Sequence, residues 1–319
     1  MITIISIIIP CYGSQHTIAA VVADLTKTLG TAEYEIILVN DSSPDGVFAV
    51  IKDLCGDSRN IKGLDLSKNF GQHNAIMAGL SCATGDICVF MDDDGQTPAT
   101  EIWQLINALD NETDIVIAEY ANKKHSHWRN WGSKINDRMA EILINKPRNL
   151  KMSSYFAIKK FVADELRNYQ GSFPYLAGLL LRSGNRIKNV PIPHKPREIG
   201  QSGYTFKKLI GLWLNGFTAF SVKPLRIATF MGFLTAMGGF TYGIYVILRR
   251  LIFEPLSPMG WSSTMAALLF IGGMIMLMLG LIGEYVGRIY ININNSPQFV
   301  IREKLGFDRP EEKRNEDED

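Results

Sequence analysis

Two long stretches without a charged side chain limit what the C-terminal half of this chain can fold into. Residues 227–248 and residues 262–283 contain no Asp, Glu, Lys or Arg, and each stretch has 22 residues. A helix rises about 1.5 Å per residue, so a helix of this length crosses a hydrocarbon core of roughly 30 Å. The pattern predicts two transmembrane helices. The alternative is a pair of helices buried inside a water-soluble domain.

The remaining sequence divides the chain into four regions. Residues 1–200 mix apolar and polar side chains as a soluble domain does, and residues 201–226 form an amphipathic juxtamembrane segment. Residues 227–290 hold the two predicted spans, and residues 291–319 are a C-terminal tail that becomes highly charged. The formal net charge of +1 argues against a nucleic-acid partner, because proteins that bind nucleic acid present a basic face.

Apolar runs of strand length alternate with helical patterns through the first 120 residues. Continuous apolar runs indicate strands that are buried on both faces. The alternation predicts a mostly parallel α/β sheet covered by helices. The predicted strands are residues 4–9, 34–39, 61–66, 87–91 and 114–119, and the predicted helices include residues 16–29, 72–83 and 98–109.

Three consecutive carboxylates, Asp92, Asp93 and Asp94, follow the fourth predicted strand. Ligands of such sheets gather at the carboxyl ends of the strands. Side chains alternate along extended backbone, so Asp92 and Asp94 are expected to point one way and Asp93 the other. Two convergent carboxylates suit Mg²⁺ or Mn²⁺, which prefer oxygen ligands and complete their shell with substrate phosphates. The alternative is a solvated loop in which Asp94 caps a helix near Pro98.

The tips of the first, second and fourth strands share one edge of the predicted sheet, so Tyr12 and Asp41 are expected to face the same pocket. Asp41 can accept from the imide N–H of a uracil while Tyr12 stacks on the base. The alternative is that Asp41 and Ser42 cap the following helix. The chain has neither GxGxxG nor GxxxxGK[ST], so a diphosphate here depends on a metal and on basic side chains.

Separated motifs occur in the order found in family 2 glycosyltransferases with a GT-A fold. They are Pro10-x-Tyr12, Val39-Asn40-Asp41-Ser42-Ser43-x-Asp45-Gly46, Asn69-Phe70-Gly71-Gln72-x-x-Ala75, Ala78-Gly79-Leu80, Gly85-Asp86 and Met91-Asp92-x-Asp94-x-Gln96-x-Pro98. Over about residues 4–303 the chain resembles the polyprenyl-phosphate glycosyltransferases, which include dolichyl-phosphate mannose synthases. Three later motifs resemble the bactoprenol glucosyltransferases: Arg197-x-x-Gly200-x-Ser202-x-Tyr204, Phe220-Ser221-x-x-Pro224-Leu225-Arg226 and Gly283-Glu284-Tyr285-x-Gly287-Arg288-Ile289-Tyr290.

The resemblance implies a Rossmann-like GT-A domain followed by interfacial and transmembrane helices. It implies inverting transfer of one sugar, glucose as the first guess, from a UDP-sugar rather than a GDP-sugar to undecaprenyl phosphate. The expected location is the bacterial inner membrane, with the catalytic domain in the cytoplasm, and a homo-oligomer is expected. The implied donor-binding residues are Pro10, Tyr12, Asp41, Ser42, Asp92, Asp93 and Gln96. Asp92 and Asp94 are the implied metal ligands, Asp94 and Arg197 the catalytic residues, and Arg197, Ser202, Tyr204 and Lys207 the acceptor-phosphate residues.

Three positions depart from the family pattern. Gly13-Ser14-Gln15 stands where relatives commonly have Asn-Glu-Glu, Ser154 stands where a catalytic aspartate is expected, and Ser202-Gly203-Tyr204 lacks a lysine before the tyrosine. A missing acid suits a phosphate acceptor. A phosphate monoester has a second pKa near ~6 and is already an oxyanion at neutral pH, so its attack needs little proton abstraction. It needs instead a positively charged environment.

Positive charge is concentrated before the first predicted span, in His194, Lys195, Arg197, Lys207 and Lys208. These residues are candidates for holding the acceptor phosphate, and the alternative is a basic belt that only meets anionic lipid. Basic residues are more numerous outside the two spans than in their connection, which holds Arg249 and Arg250. This asymmetry predicts that both termini lie in the cytoplasm.

Two other functions stay open from the sequence. A processive polysaccharide synthase is disfavoured because the chain has no QxxRW segment and only two predicted spans. A membrane protein that binds a nucleotide sugar without turnover is consistent with Ser154 in place of an acid.

Overall fold

The structure is a computed structural model that describes residues 3–120, 141, 146–193, 223–252, 261–294 and 296–307. The chain separates into two compact units. One comprises Met1–Leu209 with Pro297–Asp319, and the other comprises Ile210–Ser296. The chain therefore leaves the first unit once and returns to it. The predicted boundaries at residues 200, 226 and 290 stay predictions.

The first unit is built on one eight-stranded sheet with the order β7-β5-β6-β4-β1-β2-β3-β8. β6 and β8 run antiparallel to their neighbours, and the other pairs are parallel. The prediction of a mostly parallel α/β sheet is confirmed. The strands are β1 (Ile5–Cys11), β2 (Tyr34–Asn40), β3 (Ile61–Leu66), β4 (Ile87–Phe90), β5 (Ile115–Tyr120), β6 (Phe156–Lys159), β7 (Ile187–Ile192) and β8 (Ile301–Leu305).

Helices of this unit connect the strands and cover the sheet. α1 buries five apolar side chains at helical spacing, from Ile18 to Leu29, so one face of the helix packs on the core. α3 packs closely against β1, because a Cβ added to Gly79 would lie 2.5 Å from Cγ2 of Ile8. The helices of this unit within the described residues are α1 (Ile18–Leu29), α2 (Val47–Asp57), α3 (Gln72–Cys82), α4 (Ile102–Asn107, after a 3₁₀ turn at Ala99–Glu101), α5 (Lys160–Arg167) and α6 (Leu176–Ser183).

β8 lies at the edge of the sheet, antiparallel to β3. The sequence predicts no strand here, because residues 291–319 read as a tail. The strand alternates half-buried and exposed residues, with Arg302 and Lys304 on the exposed side. Such a strand has one packed face and one solvated face, which gives a weak hydrophobic signal. The chain that follows the predicted membrane region thus contributes to the same sheet as the first 192 residues.

The described residues of the second unit form two long helices, α7 (Lys223–Ile252) and α8 (Trp261–Ile293). One segment in the described part of the chain, Phe270–Ile291 in α8, is long and apolar enough to cross a membrane. The prediction of two transmembrane helices is therefore not confirmed. Large apolar side chains are exposed on both helices, for example Phe240 at 72% and Met276 at 71%. This exposure does not fit the alternative of helices buried in a soluble domain.

Candidate active site

The carboxyl ends of β1, β2 and β4 lie at one edge of the sheet, because β1 is parallel to both of its neighbours. Tyr12, Asp41 and residues 92–94 follow these three ends directly. The structure thus brings these sequence-predicted residues to one rim. Pro10 differs from them, because it is buried within β1, and its part in donor binding stays a prediction.

Asp92 accepts hydrogen bonds from two side chains that are distant in sequence. Ser154 Oγ donates to Oδ2, and Gln72 Nε2 donates to Oδ1 over 2.8 Å. β6 runs antiparallel to β4 with Phe156 opposite Phe90, and this register sets Ser154 opposite Asp92. The residue in the place of the expected catalytic aspartate is therefore a hydrogen-bond donor to the first carboxylate of the triplet.

Electrostatic repulsion acts on the carboxylates of the triplet. Burial raises the pKa of Asp92 to about 6, and the negative charges of Asp94 and Asp93 act in the same direction, against the hydrogen bonds from Ser154 and Gln72. Carboxylates that share a site repel one another, and a cation bound between them would remove this repulsion.

Tyr120 on β5 is a further neighbour of this charge, and the sequence does not single it out. Burial raises the pKa of its hydroxyl, and the charges of Asp92 and Asp94 raise it further. Both carboxylates therefore act on one and the same group, as expected if they face a common space.

Asp93 contacts the tip of β1. Its Oδ2 accepts from the backbone N–H of Tyr12 over 2.9 Å, and its carbonyl oxygen accepts from Thr17 Oγ1 over 2.7 Å. Asp92, by contrast, contacts α3 and the segment before β6. Asp93 thereby holds the backbone of Tyr12 while the phenol ring, 54% exposed, stands free at the rim.

Asp94 closes a local turn instead of capping a helix. Its Oδ1 accepts from the backbone N–H of Gln96 over 3.0 Å, and Gly95 between them has a φ of 74°. The helical turn that begins at Ala99 has no side-chain cap. The alternative in which Asp94 caps this helix is wrong.

Asp41 fixes the loop that leads into α3. Its two carboxylate oxygens accept from the backbone N–H groups of Phe70 and Gly71 over 2.7 and 2.8 Å. The side chain is 3% exposed, and burial raises its pKa. The alternative in which Asp41 caps its own helix is also wrong, because the N–H at the start of α2 is bonded by Asp45. The contact of Asp41 with a nucleobase stays a prediction.

The loops after β1 and β2 are joined by reciprocal hydrogen bonds. Gly13 N donates to Ser43 Oγ over 2.8 Å, Gln15 N donates to Asp45 Oδ2 over 3.0 Å, and Gly46 N donates to Gln15 Oε1 over 3.0 Å. We call these five residues the loop clasp. Gln15, one of the departures from the family pattern, thus has a structural role at the start of α2.

Ser42, next to the loop clasp, is the one non-glycine residue with a positive φ in the described part of the chain, with a φ of 51°. Such a conformation is unfavourable for a side chain with a Cβ and persists where the surroundings hold it in place. The strain lies between Asp41 and the loop clasp.

A cavity of about 190 Å³ adjoins Asp92. It opens between α3, α6 and the segment before β6, and its wall includes Gln72 and Ser154. His73, which the sequence does not single out, is half-buried in this wall and donates from Nδ1 to the carbonyl of Pro174 over 3.1 Å. Burial lowers its pKa, which favours the neutral ring. The lining residues are Gln72, His73, Ile76, Met152, Ser153, Ser154, Phe156, Tyr175, Leu176, Ala177 and Leu180.

The predicted acceptor residues Arg197, Ser202, Tyr204 and Lys207 lie outside the described residues, as do His194, Lys195 and Lys208. Their roles stay predictions.

The donor set at the end of β4 fits a hard divalent cation that a substrate helps to bind. In the described ranges no group of three or more His, Cys, Asp or Glu side chains has the arrangement of a metal site. Asp92 and Asp94 supply only oxygen atoms, and each oxygen of Asp92 accepts one hydrogen bond and keeps a lone pair. Mg²⁺ and Mn²⁺ are commonly held by one or two carboxylates together with substrate phosphates.

Among the solved structures similar to this chain, one with a TM-score of 0.50 shares this fold. Mannosyl-3-phosphoglycerate synthase from Rubrobacter xylanophilus is 13% identical with a TM-score of 0.50, over 70% of this chain and 74% of that chain. Glucosyl-3-phosphoglycerate synthase from Mycobacterium tuberculosis, solved with Mn²⁺ and UDP-Glc, is 15% identical with a TM-score of 0.48, over 68% of this chain and 77% of that chain. At this identity the first likeness shows the fold alone.

Two sequence families match the chain, one in each unit. Residues 223–289 match the GtrB C-terminal hairpin, which covers most of α7 and α8. Residues 6–167, just over half of the chain, match the glycosyl transferase family 2 and include β1 through α5 and the whole carboxylate triplet. With the mostly parallel sheet and the acids at the end of β4, this match makes the chain a member of glycosyl transferase family 2 with a GtrB-type C-terminal hairpin.

Proposed function

We propose that this protein is an inverting glycosyltransferase that moves a single sugar from a nucleotide-sugar donor to polyprenyl phosphate at the cytoplasmic face of the membrane. Membership of family 2 and the GtrB-type hairpin support the class of reaction. The observation that carries the proposal is the Asp92 carboxylate beside a 190 Å³ cavity, with Ser154 in the place of a base.

Asp92 and Asp94 hold Mg²⁺ or Mn²⁺ in this proposal. The cation would neutralise the diphosphate of the donor and stabilise it as a leaving group. Asp93 supports donor binding indirectly, because it holds the backbone N–H of Tyr12. The exposed side chain of Tyr12 is available to stack on the nucleobase of the donor. A UDP-sugar, with glucose as the first choice, is the proposed donor.

Ser154 is unsuited to the role of general base, because a neutral hydroxyl is a very weak base and this one donates a hydrogen bond to Asp92. A phosphate acceptor does not require a base, since its second pKa near ~6 leaves an oxyanion at neutral pH. The acceptor oxygen attacks the anomeric carbon as the bond to the diphosphate breaks. Arg197, Ser202, Tyr204 and Lys207 are proposed to hold the acceptor phosphate and offset its charge.

Chain connectivity supports a membrane hairpin of two spans. The sheet contains β7, which ends before the hairpin, and β8, which follows it and pairs with β3. This connectivity supports an even number of crossings, with both flanks of the hairpin on one side of a membrane. In the proposed topology Phe270–Ile291 and α7 are the two spans, and the basic residues outside the spans favour the cytoplasm as the side of both termini.

Product analysis tests the proposal. Purified full-length protein is incubated with undecaprenyl phosphate and a panel of labelled nucleotide sugars, with and without EDTA. We expect one nucleotide sugar to give a lipid phosphate carrying a single sugar, and EDTA to abolish the product. A polymer would indicate a processive synthase, and nucleotide-sugar binding without any product would indicate a non-catalytic partner. Either result contradicts the proposal.

A further inference from the structure

A row of hydrogen bonds links β8 to the rim of the site. Arg302 donates from Nη1 to Asp65 Oδ2 over 3.0 Å and from Nη2 to the carbonyl of Ser67 over 2.7 Å. Asp65 Oδ1 accepts from Asn40 Nδ2 over 2.7 Å, and Asn40 Oδ1 accepts from the backbone N–H of Ser43 over 3.1 Å. The row starts on the strand after the hairpin and ends in the loop clasp.

The interior members of this row are buried. Asp65 is 3% exposed and Asn40 is 4% exposed. A buried carboxylate is costly unless it is paired, and Arg302 supplies the cation that pairs with it. An ionised carboxylate only accepts hydrogen bonds, so Asn40 must present its amide NH₂ to Asp65 and its carbonyl oxygen to Ser43. The charge on Asp65 therefore fixes the orientation of the Asn40 amide.

Ser43 transmits this orientation to the loops at the rim. Its Oγ accepts from Gly13 N over 2.8 Å and donates to Asp45 Oδ1 over 2.7 Å. The preceding residue, Ser42, has the strained φ of 51°. A strained backbone persists only where neighbours determine it, and the bond from Ser43 N to Asn40 is one such restraint.

We propose that Arg302 is a positioning residue for the nucleotide-sugar donor, acting through Asp65 and Asn40 on the loop clasp. The inference rests on the proposed function, because it assumes that the donor binds at the tips of β1 and β2. It gives β8 a role besides closing the sheet edge. The donor site reaches its full affinity only when the chain that follows the hairpin has paired with β3.

Residue 303 offers a matched control on the same strand. Glu303 pairs with Lys52 over 3.2 Å, and both side chains are about half exposed, at 42% and 46%. Exposed ion pairs contribute little to stability. Glu303 is the strand partner of Asp65 in the sheet, but its side chain pairs with Lys52 and not with the row described above. Glu303→Gln therefore removes a charge from β8 while it keeps the backbone pairing and the bond between Arg302 and Asp65.

The experiment measures UDP binding in the presence of Mn²⁺ by isothermal titration calorimetry, together with KM for the nucleotide sugar and kcat. It uses the purified full-length chain and the variants Arg302→Ala, Arg302→Lys, Asp65→Asn and Glu303→Gln. We expect Arg302→Ala and Asp65→Asn to raise Kd and the donor KM about fivefold or more, the size of one lost hydrogen bond, with kcat within about twofold. Arg302→Lys restores part of the affinity, and Glu303→Gln matches the wild type.

A purely structural role gives a different pattern, because loss of folded protein lowers the active fraction and leaves Kd unchanged. That pattern overturns the inference, and so does an equal effect of Glu303→Gln and Arg302→Ala. If Arg302→Ala does not fold, Arg302→Lys and Asp65→Asn decide, and wild-type affinity in both overturns it. A wild-type protein that binds no UDP contradicts the proposed function itself.

Discussion

Asp92 joins three separate parts of the chain at one carboxylate. It follows β4, accepts from the first residue of α3 and accepts from Ser154 in front of β6. The apolar run that ends in three acids predicts Asp92 from sequence alone. Its partners are not predictable in this way, because they lie 20 and 62 residues away and are brought in by sheet pairing.

Replacing Asp92 by Asn is expected to reduce transfer at least ~100-fold, or about 2.7 kcal/mol in the activation barrier. The amide keeps the shape of the side chain and loses the negative charge that the cation requires. The measurement is the rate of sugar transfer to lipid phosphate. Asp86→Asn, at the opposite end of β4 and paired on the surface with Lys160, is the matched control and should retain activity. Comparable losses in the two variants would remove Asp92 from the reaction.

Replacing Ser154 by Ala is expected to change kcat less than ~10-fold, because the hydroxyl supports Asp92 and does not abstract a proton. The measurement is kcat at saturating donor and lipid phosphate. A loss above ~100-fold, about 2.7 kcal/mol, would mean that this hydroxyl takes part in the chemistry.

Glu35 lies near the start of β2, at the opposite end of the strands from the carboxylate triplet. It accepts from Ser6, Thr84 and Lys62, the last over 2.6 Å. Burial alone would raise its pKa, but these bonds outweigh burial and lower the pKa below its ordinary value of 4.5. A lowered folded-state pKa contributes stability above the unfolded-state pKa, and this contribution is lost as the pH falls through the folded-state value.

Glu35→Gln should therefore lower the free energy of unfolding by about 2 kcal/mol near neutral pH. The difference from the wild type should shrink below about pH 4.5, as the wild-type carboxyl becomes protonated. Denaturant unfolding of both proteins at about pH 6 and about pH 3 checks this. An equal difference at both pH values would show that the charge of Glu35 is not what stabilises the fold.

At the scale of elements, a strand could be predicted from the sequence where both of its faces are buried in the sheet. β1 to β5 are mostly apolar and mostly buried, apart from a few charged residues such as Glu35 in β2 and Asp65 in β3. They were predictable within a few residues, since a central parallel strand needs apolar side chains on both sides. β8 is an edge strand that pairs with β3 alone, and three of its five residues are charged. Its sequence therefore resembles that of an unstructured tail. Its place in the sheet depends on β3, more than 230 residues earlier, as the bond between Arg302 and Asp65 shows.

The loop clasp illustrates the same limit within the site. Gln15 departs from the family pattern, and nothing in the local sequence indicates its partner. The structure supplies one, because the Gln15 amide accepts from Gly46 and its backbone N–H donates to Asp45. The two loops lie together because β1 and β2 are adjacent and parallel.

At the scale of the whole molecule, a single sheet receives strands from both sides of the helical hairpin. The proposed two-span topology can be tested, because it places the connection between α7 and α8 on the far side of the membrane from the sheet. Single cysteines introduced into a cysteine-free background report on it. Ser257→Cys lies in that connection and Glu311→Cys lies after β8.

In intact cells, a membrane-impermeant maleimide should label Ser257→Cys and spare Glu311→Cys. Permeabilised cells should show labelling at both positions. Equal labelling of the two in intact cells, or labelling of Glu311→Cys alone, would contradict the two-span hairpin.

The most direct test of the central claim compares two lipid acceptors that differ only in their phosphate. Purified protein with Mn²⁺ and its labelled nucleotide sugar is offered undecaprenyl phosphate or undecaprenol, and the glycosylated lipid is measured. An oxyanion acceptor needs no general base, whereas an alcohol does. Ser154 is a neutral hydroxyl that donates a hydrogen bond to Asp92, and it is too weak a base for that role. We predict a single-sugar product on the phosphate and none on the alcohol. Comparable transfer to both lipids, or no transfer to the phosphate, would contradict the account.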